Sequence, residues 1–159
     1  MSARARRRAA GGGSRGGMSD VVKNGVKAVR GDEHSSIDVK ILPDGVILWR
    51  LTGYLTRSAQ DAAQRDFDAL LARDDRKFRL CVDAEGLFGF EPSVPIQSIR
   101  WFARVLDRFS GAALVSNMST MRAVSNASAK LLPPFPQRVV STRAEALAYL
   151  RTLPLVRAS

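Results

Sequence analysis

The sequence has a single cysteine, Cys81, and a single histidine, His34, in 159 residues. One cysteine excludes an internal disulfide framework and a cysteine-rich zinc site, and it makes a reducing compartment, the cytoplasm, the expected location. No apolar run approaches the roughly 18 to 20 residues that span a bilayer, so no membrane insertion is expected. The arginine-rich N-terminus leads into Gly11-Gly12-Gly13 instead of an apolar segment, so it does not read as a secretory signal. Catalytic equipment is equally sparse. His34 lies in a polar stretch, and Cys81 sits inside an apolar run where a thiol behaves as a small hydrophobe. Asp83, Glu85 and Glu91 are carboxylates without a phosphate loop or general base beside them, and they read as solvated loop groups instead of cation ligands. No metal, no cofactor and no enzymatic activity are expected.

What is abundant is positive charge: 25 Lys and Arg against 15 Asp and Glu, a formal net charge of +10. Its distribution is uneven. Residues 1–30 hold eight bases against Asp20 alone, so the remainder of the chain is only mildly basic. Residues 1–17 are Arg, Gly, Ala and Ser with almost nothing apolar, too little to offset the entropy of ordering, and are expected to be a disordered tail. Two readings of this tail stand: a basic arm making weak contacts with polyanions such as nucleic acid, or a start site placed too early, with translation beginning at Met18. Residues 18–35 read as linker, 36–153 as one folded domain and 154–159 as a C-terminal tail.

Within the domain, Ile37-Asp38-Val39-Lys40-Ile41 alternates, Pro43-Asp44-Gly45 is turn chemistry, and Val46 to Leu51 is strand again, which makes a first β-hairpin. Ala59, Ala62, Ala63, Phe67, Leu70 and Leu71 recur at helical spacing. Phe78 to Val82 is a third strand, and a helix is expected from Pro95 to Phe109. Ala112 to Val115 is a short apolar strand. Met121, Val124, Ser128 and Leu131 mark a helix within 116–132, stopped by Pro133-Pro134. Arg138-Val139-Val140 is a last strand, and Thr142-Arg143-Ala144-Glu145 has capping-box spacing. The order implies an α/β single domain: a mixed, mostly parallel sheet of four to five strands with about four helices and right-handed crossovers.

The run from Leu80 to Ser93 is the most informative stretch. It reads as a buried strand that breaks into a loop punctuated by Gly86 and Gly89 and delivers Ser93 to the start of a helix. A phosphate there would meet the unpaired N–H groups of a first helical turn. The element order, Gly53-Tyr54-Leu55-Thr56 before the first helix and this strand-loop-serine element together resemble the STAS-like domains, the bacterial anti-sigma factor antagonist family and its diverged relatives. The resemblance covers about residues 36 to 152. It implies a non-enzymatic protein-protein interaction module of signalling, with an anti-sigma-type kinase or another regulator as partner. In that family an acid ends the strand, and Asp-Ser-Ser-Gly follows, its second serine phosphorylated by the partner kinase. Those positions fall here on Asp83, Glu91, Pro92, Ser93 and Val94, so proline and valine stand where the family has serine and glycine.

Each candidate has a plainer reading beside it. Ser93 is a phosphorylation candidate or a helix cap. Asp83, Phe88, Phe90 and Glu91 are candidates for partner binding, with inward packing as the alternative for the two rings. Arg100, Arg104 and Arg108 repeat every four residues as a basic stripe for an acidic partner, or as a solvated helix face. Ser116, Asn117, Ser119 and Thr120 follow a strand and could dock an anion or ligand, or cap the next helix. The competing function is a small-ligand domain taking a nucleotide or a lipid-like apolar molecule. A homodimer through the free edge of the first hairpin is open beside a monomer.

Overall fold

Strand alternation sorts the side chains onto two faces, and each face is covered by different helices. The computed structural model describes residues 34–155, and residues 27–31 in backbone only. The strands are β1 (Lys27–Gly31), β2 (Ser35–Ile41), β3 (Val46–Leu55), β4 (Phe78–Phe90), β5 (Phe109–Val115) and β6 (Gln137–Val140). The helices are α1 (Arg57–Leu71), α2 (Val94–Val105), α3 (Ser119–Leu131) and α4 (Arg143–Thr152), with a 3-10 turn at Leu106–Arg108. The six strands lie in sequence order, antiparallel from β1 to β3 and parallel from β3 to β6.

The sheet therefore has one strand more than the four to five expected. The extra strand, β1, lies in the stretch read as linker, where five residues with two bases give no clear alternation. Because β1 pairs with β2, the hairpin edge that offered a route to a dimer is already occupied.

Ile47, Trp49 and Leu51 of β3 and Phe78, Leu80 and Ala84 of β4 face the layer of α1 and α2. The intervening Val46, Cys81, Ala113 and Val115 face α4, with Ala146 and Leu150 packed onto them. Under α1 and α2 the aromatic rings carry the packing. Trp49 stacks on Phe67 at 5.0 Å between centroids, and Trp101 meets both edge-on at 5.3 Å. Such pairs contribute about 0.5–1.5 kcal/mol each beyond their burial. Polar bonds then fasten α1 to α2: Gln60 Nε2 donates to Ser98 Oγ at 3.0 Å, Gln97 to Asp61, and Trp101 Nε1 and Arg104 Nη2 both donate to Asp68 at 2.8 Å.

On the other face, β4 holds α4 at both ends. Arg79 and Asp83 are four strand residues apart, about 13 Å, and the ten residues of α4 run about 15 Å. Arg79 donates to the carbonyls of Leu150 (3.0 Å) and Leu153 (3.3 Å) at the C-terminal end of α4. Asp83 accepts from Arg143 at its N-terminal end. A cation thus sits at the negative end of the helix dipole and a carboxylate near the positive end.

Candidate functional site

The edge that the sequence pointed to differs from expectation first in β4, which continues as strand to Phe90 instead of ending near Val82. The glycines are the reason. A Cβ at Gly86 would lie 2.7 Å from Thr52 Cγ2, and one at Gly89 would lie 3.0 Å from the Tyr54 ring, so both serve close approach of the neighbouring strand. β3 pairs with this extension through Leu55, with register shifts after Arg50 and after Gly53. Strand, not loop, carries the chain to Glu91.

Glu91 and Ser93 stand where β4 hands over to α2. Glu91 Oε2 accepts from the backbone N–H of Arg57 at 3.1 Å, and its own N–H donates to Leu55 O at 3.0 Å, so this acid braces the start of α1. Ser93 is half-buried and occupies the N-cap position of α2 without a side-chain capping bond. Two local causes explain this. Its backbone is already helical (φ −78, ψ −18), whereas capping residues need extended backbone, as Thr56 and Thr142 have before α1 and α4. In addition Pro95, in the first turn, offers no N–H. The capping reading of Ser93 is therefore not met; its hydroxyl has no hydrogen bond among the described residues.

Asp83 is placed otherwise than a partner-binding role requires. It is 1 % exposed, and its carboxylate accepts from Arg143 Nε (2.8 Å) and Nη2 (2.5 Å), while Oδ1 accepts from the Glu85 N–H at 3.1 Å. Arg50 Nε lies 3.9 Å away. Asp83 works from within, as an anchor for α4. The expected aromatic pair splits. Phe88 is 73 % exposed and 6.2 Å from Tyr54, whereas Phe90 packs partly against the core. Simple alternation would put these two rings on one face, but the register shift between Gly53↔Leu87 and Tyr54↔Gly89 makes Phe88 an extra residue on β4 and parts it from Phe90, which the loop reading could not foresee.

The basic stripe is mostly engaged. Arg104 pairs with Asp68, and Arg108, beyond the end of α2 in the 3-10 turn, donates to the Asp74 carbonyl. Asp74 is itself gripped by Arg76, whose hydrogen bonds hold the carboxyl below its ordinary range. Arg100 is exposed and forms no ion pair among the described residues.

The serine-rich loop after β5 also departs from expectation. Ser116 is fully buried; its N–H donates to Val140 O, and its Oγ accepts from the Met118 N–H at 3.2 Å. It is closed off from an incoming anion. Asn117, Ser119 and Thr120 are exposed, and Met118, not a hydroxyl residue, holds the N-cap position of α3. Among the described residues no group of three or more His, Cys, Asp or Glu could hold a metal ion. Cys81 is buried, and desolvation pushes its thiol up to about 12. No helix among the described residues is long and apolar enough to cross a membrane.

The residues that sequence reasoning missed line a cleft of about 180 Å3 between α2 and α3, over the sheet. Its walls include Pro95, Ile99, Phe102, Met121, Val124 and Ser125, with Ala112 and Leu114 on the floor. The signal was present in α3, whose inward face alternates apolar residues with serines and so fills poorly.

Comparison with known proteins follows the same lines. The family model described as SpoIIAA-like matches residues 46–151. Among solved structures, an uncharacterized protein with a SpoIIAA-like fold from Shewanella loihica PV-4 superimposes with a TM-score of 0.54 at 13 % identity, covering 84 % of this chain and 99 % of that one. The anti-sigma factor antagonist SpoIIAA in its unphosphorylated form gives 0.53 at 16 % identity over 74 % and 99 %. The phosphorylated form of the Bacillus cell fate determinant SpoIIAA gives 0.51 at 18 % over 72 % and 99 %. None of the curated proteins matches the sequence.

Proposed function

Because this chain belongs to the SpoIIAA-like family, we propose that it is a regulatory module, related to the anti-sigma factor antagonists, that docks a partner protein at the Ser93 edge of its sheet and is switched by phosphorylation of Ser93. It acts by binding, not by turnover. The observation that carries this reading is the Ser93 hydroxyl, delivered by the rigid extension of β4 to the first turn of α2 and spared from capping. The Val94 N–H is taken by Glu91 O and Pro95 has none, so a phosphate there would draw on the positive end of the α2 dipole, which favours an anion by about 0.3–1 kcal/mol. That a similar fold is known in phosphorylated and unphosphorylated forms supports the same assignment.

The docking face takes in exposed Phe88 and Ile96, with the exposed cation Arg100 at its border. Two large apolar side chains in water beside a charge suit a protein partner such as an anti-sigma-type kinase or another regulator. Phosphopeptide mapping of the protein isolated from its own cells should find phosphate on Ser93. Consistent absence of it, under conditions that alter the partner's activity, removes the switch.

A further inference from the structure

We propose that the α4 side of the sheet over β2 and β3, together with the basic segment that leads into β1, binds the phosphate backbone of nucleic acid without regard to base sequence. The surface is separate from the Ser93 edge and does not depend on the switch proposed there.

The face is open because of how the helices are shared between the two sides. Alternation puts Asp38 and Lys40 of β2 and Leu48 and Arg50 of β3 on the side opposite Ile37, Val39, Ile47 and Trp49, which face α1 and α2. α4 packs over β4, β5 and β6, so among the described residues no helix covers this side of β2 and β3. Lys40 is exposed, and the Arg50 side chain is 43 % exposed. Lys40 is paired with Leu48, which sets it on a diagonal with Arg50, about 7–8 Å away. Arg143 of α4 continues the line, since it and Arg50 lie 2.5 Å and 3.9 Å from the same Asp83 oxygen. The acids of this side lie lower. Asp83 is buried beneath Arg143, Asp44 is held by Arg151, and Asp38 is half-buried opposite Arg50. Glu85 is exposed but stands farther along β4, toward its Ser93 end.

Charge and the lack of apolar anchors select the partner. The chain enters β1 at Lys27, whose register partner is Lys40, so the preceding segment joins the sheet at the cationic end of this face. Residues 1–17 of that segment hold five arginines and no acid. A protein interface is built on buried apolar anchors. None of the exposed large apolar side chains among the described residues, Phe88, Ile96, Leu131 and Leu155, lies on β2 or β3. A membrane surface likewise takes apolar side chains into its interface, and residues 1–17 offer only alanine and Met1. A phosphate backbone needs neither. Duplex DNA carries a charge about every 1.7 Å and is bound through the counterions it releases to Lys and Arg. Contacts of this kind position a protein without reading bases.

Fluorescence anisotropy of the full chain with two labelled duplexes of unrelated sequence, about 20 base pairs each, tests the assignment. Both should bind with the same Kd, about 1 μM or tighter at about 50 mM salt, and affinity should fall about a thousandfold by about 200 mM, as roughly six phosphate contacts require. Arg6→Gln, Arg7→Gln and Arg8→Gln together should flatten the plot of log K against log salt by about 3, and Lys40→Gln and Arg50→Gln by about 1 each. On the wild-type protein, NMR should confine the amide shifts within residues 34–155 to the surroundings of Lys40, Arg50 and Arg143 and leave Ile96 unmoved, which keeps the test independent of how the variants fold. Absence of binding at about 50 mM salt, or a Kd that differs more than about tenfold between the two sequences, overturns the proposal. So does a salt slope that only the tail arginines change, or an NMR response on another surface. Displacement of the duplex by polyglutamate or by phosphatidylserine vesicles at equal charge would overturn nucleic acid as the partner.

Discussion

Cutting the Asp83–Arg143 pair should cost very different amounts depending on which partner is removed. Asp83 is 1 % exposed, whereas the Arg143 side chain is 36 % exposed. Arg143→Met keeps most of the alkyl packing and leaves a carboxylate buried on the α4 face, with only Arg50 at 3.9 Å as residual company. Leaving one member of a buried pair uncompensated costs about 3–5 kcal/mol. Asp83→Asn instead strands a guanidinium that can turn to solvent, and it preserves an acceptor for the Glu85 N–H. Its cost should be about 1–2 kcal/mol, near that of one charged hydrogen bond.

The double variant should recover stability relative to Arg143→Met, because the uncompensated charge is then gone. Urea unfolding reads all three. With a slope of roughly 2 kcal/mol per molar, Arg143→Met lowers the midpoint by about 2 M and Asp83→Asn by less than 1 M. Equal costs for the two single changes, or costs that simply add in the double variant, would refute the pair as the anchor of α4.

Two titrations follow from the same coordinates. Arg151 donates to Asp44 at 2.8 Å and, as the main cause, holds that carboxyl below its ordinary 3.8, so the folded state binds fewer protons than the unfolded one. The stability it contributes is present above pH 3.8 and lost as pH falls through the lowered value; Asp44→Asn should flatten this part of the acid limb in unfolding curves taken between about pH 6 and pH 2. For Cys81 the sign reverses. Burial raises the thiol from 9.0 to about 12, so the unfolded chain ionises first and stability falls as pH rises above 9.0. Cys81→Ala should lack this alkaline decline, and the wild-type thiol should resist disulfide reagents at pH 8 until denaturant opens the fold. A thiol that reacts promptly in the native protein would contradict its place on β4.

The sequence makes plain what depends on neighbours along the chain and hides what depends on approach between strands and helices. The alternation of Ile37, Val39 and Ile41, the turn at Asp44-Gly45 and the stripe ending in Phe67 and Leu71 appear in the structure where they were expected. β4 was read short because glycine is ambiguous: Gly86 and Gly89 could mean a loop or a flat strand lying against Thr52 and Tyr54, and only the partner strand decides. In α3 the spacing pointed to Leu131, yet Leu132 is buried and Leu131 lies out in solvent, since the cleft removes the packing that would have fixed the inward face. The arginine stripe on α2 was real in spacing, but its acceptors on and after α1 lie more than 30 residues away. Arg79 had no visible signature at all, because its partners are backbone carbonyls at the end of α4.

The Ser93 edge and the cleft share a wall, and that raises the question of whether one reports on the other. Val94 and Pro95, next to Ser93, line the cleft, so a rigid shift of α2 would alter both. Such a shift has to break the bonds from Gln60, Asp61 and Asp68 and to disturb Trp101 between Trp49 and Phe67. At about 0.5–1.5 kcal/mol per bond, this fastening exceeds what a terminal phosphate gains from the helix dipole. The fastening of α2 to α1 therefore predicts that phosphorylation of Ser93 leaves the α2 wall of the cleft in place, with α3, the helix that buries nothing, as the element with most room to adjust.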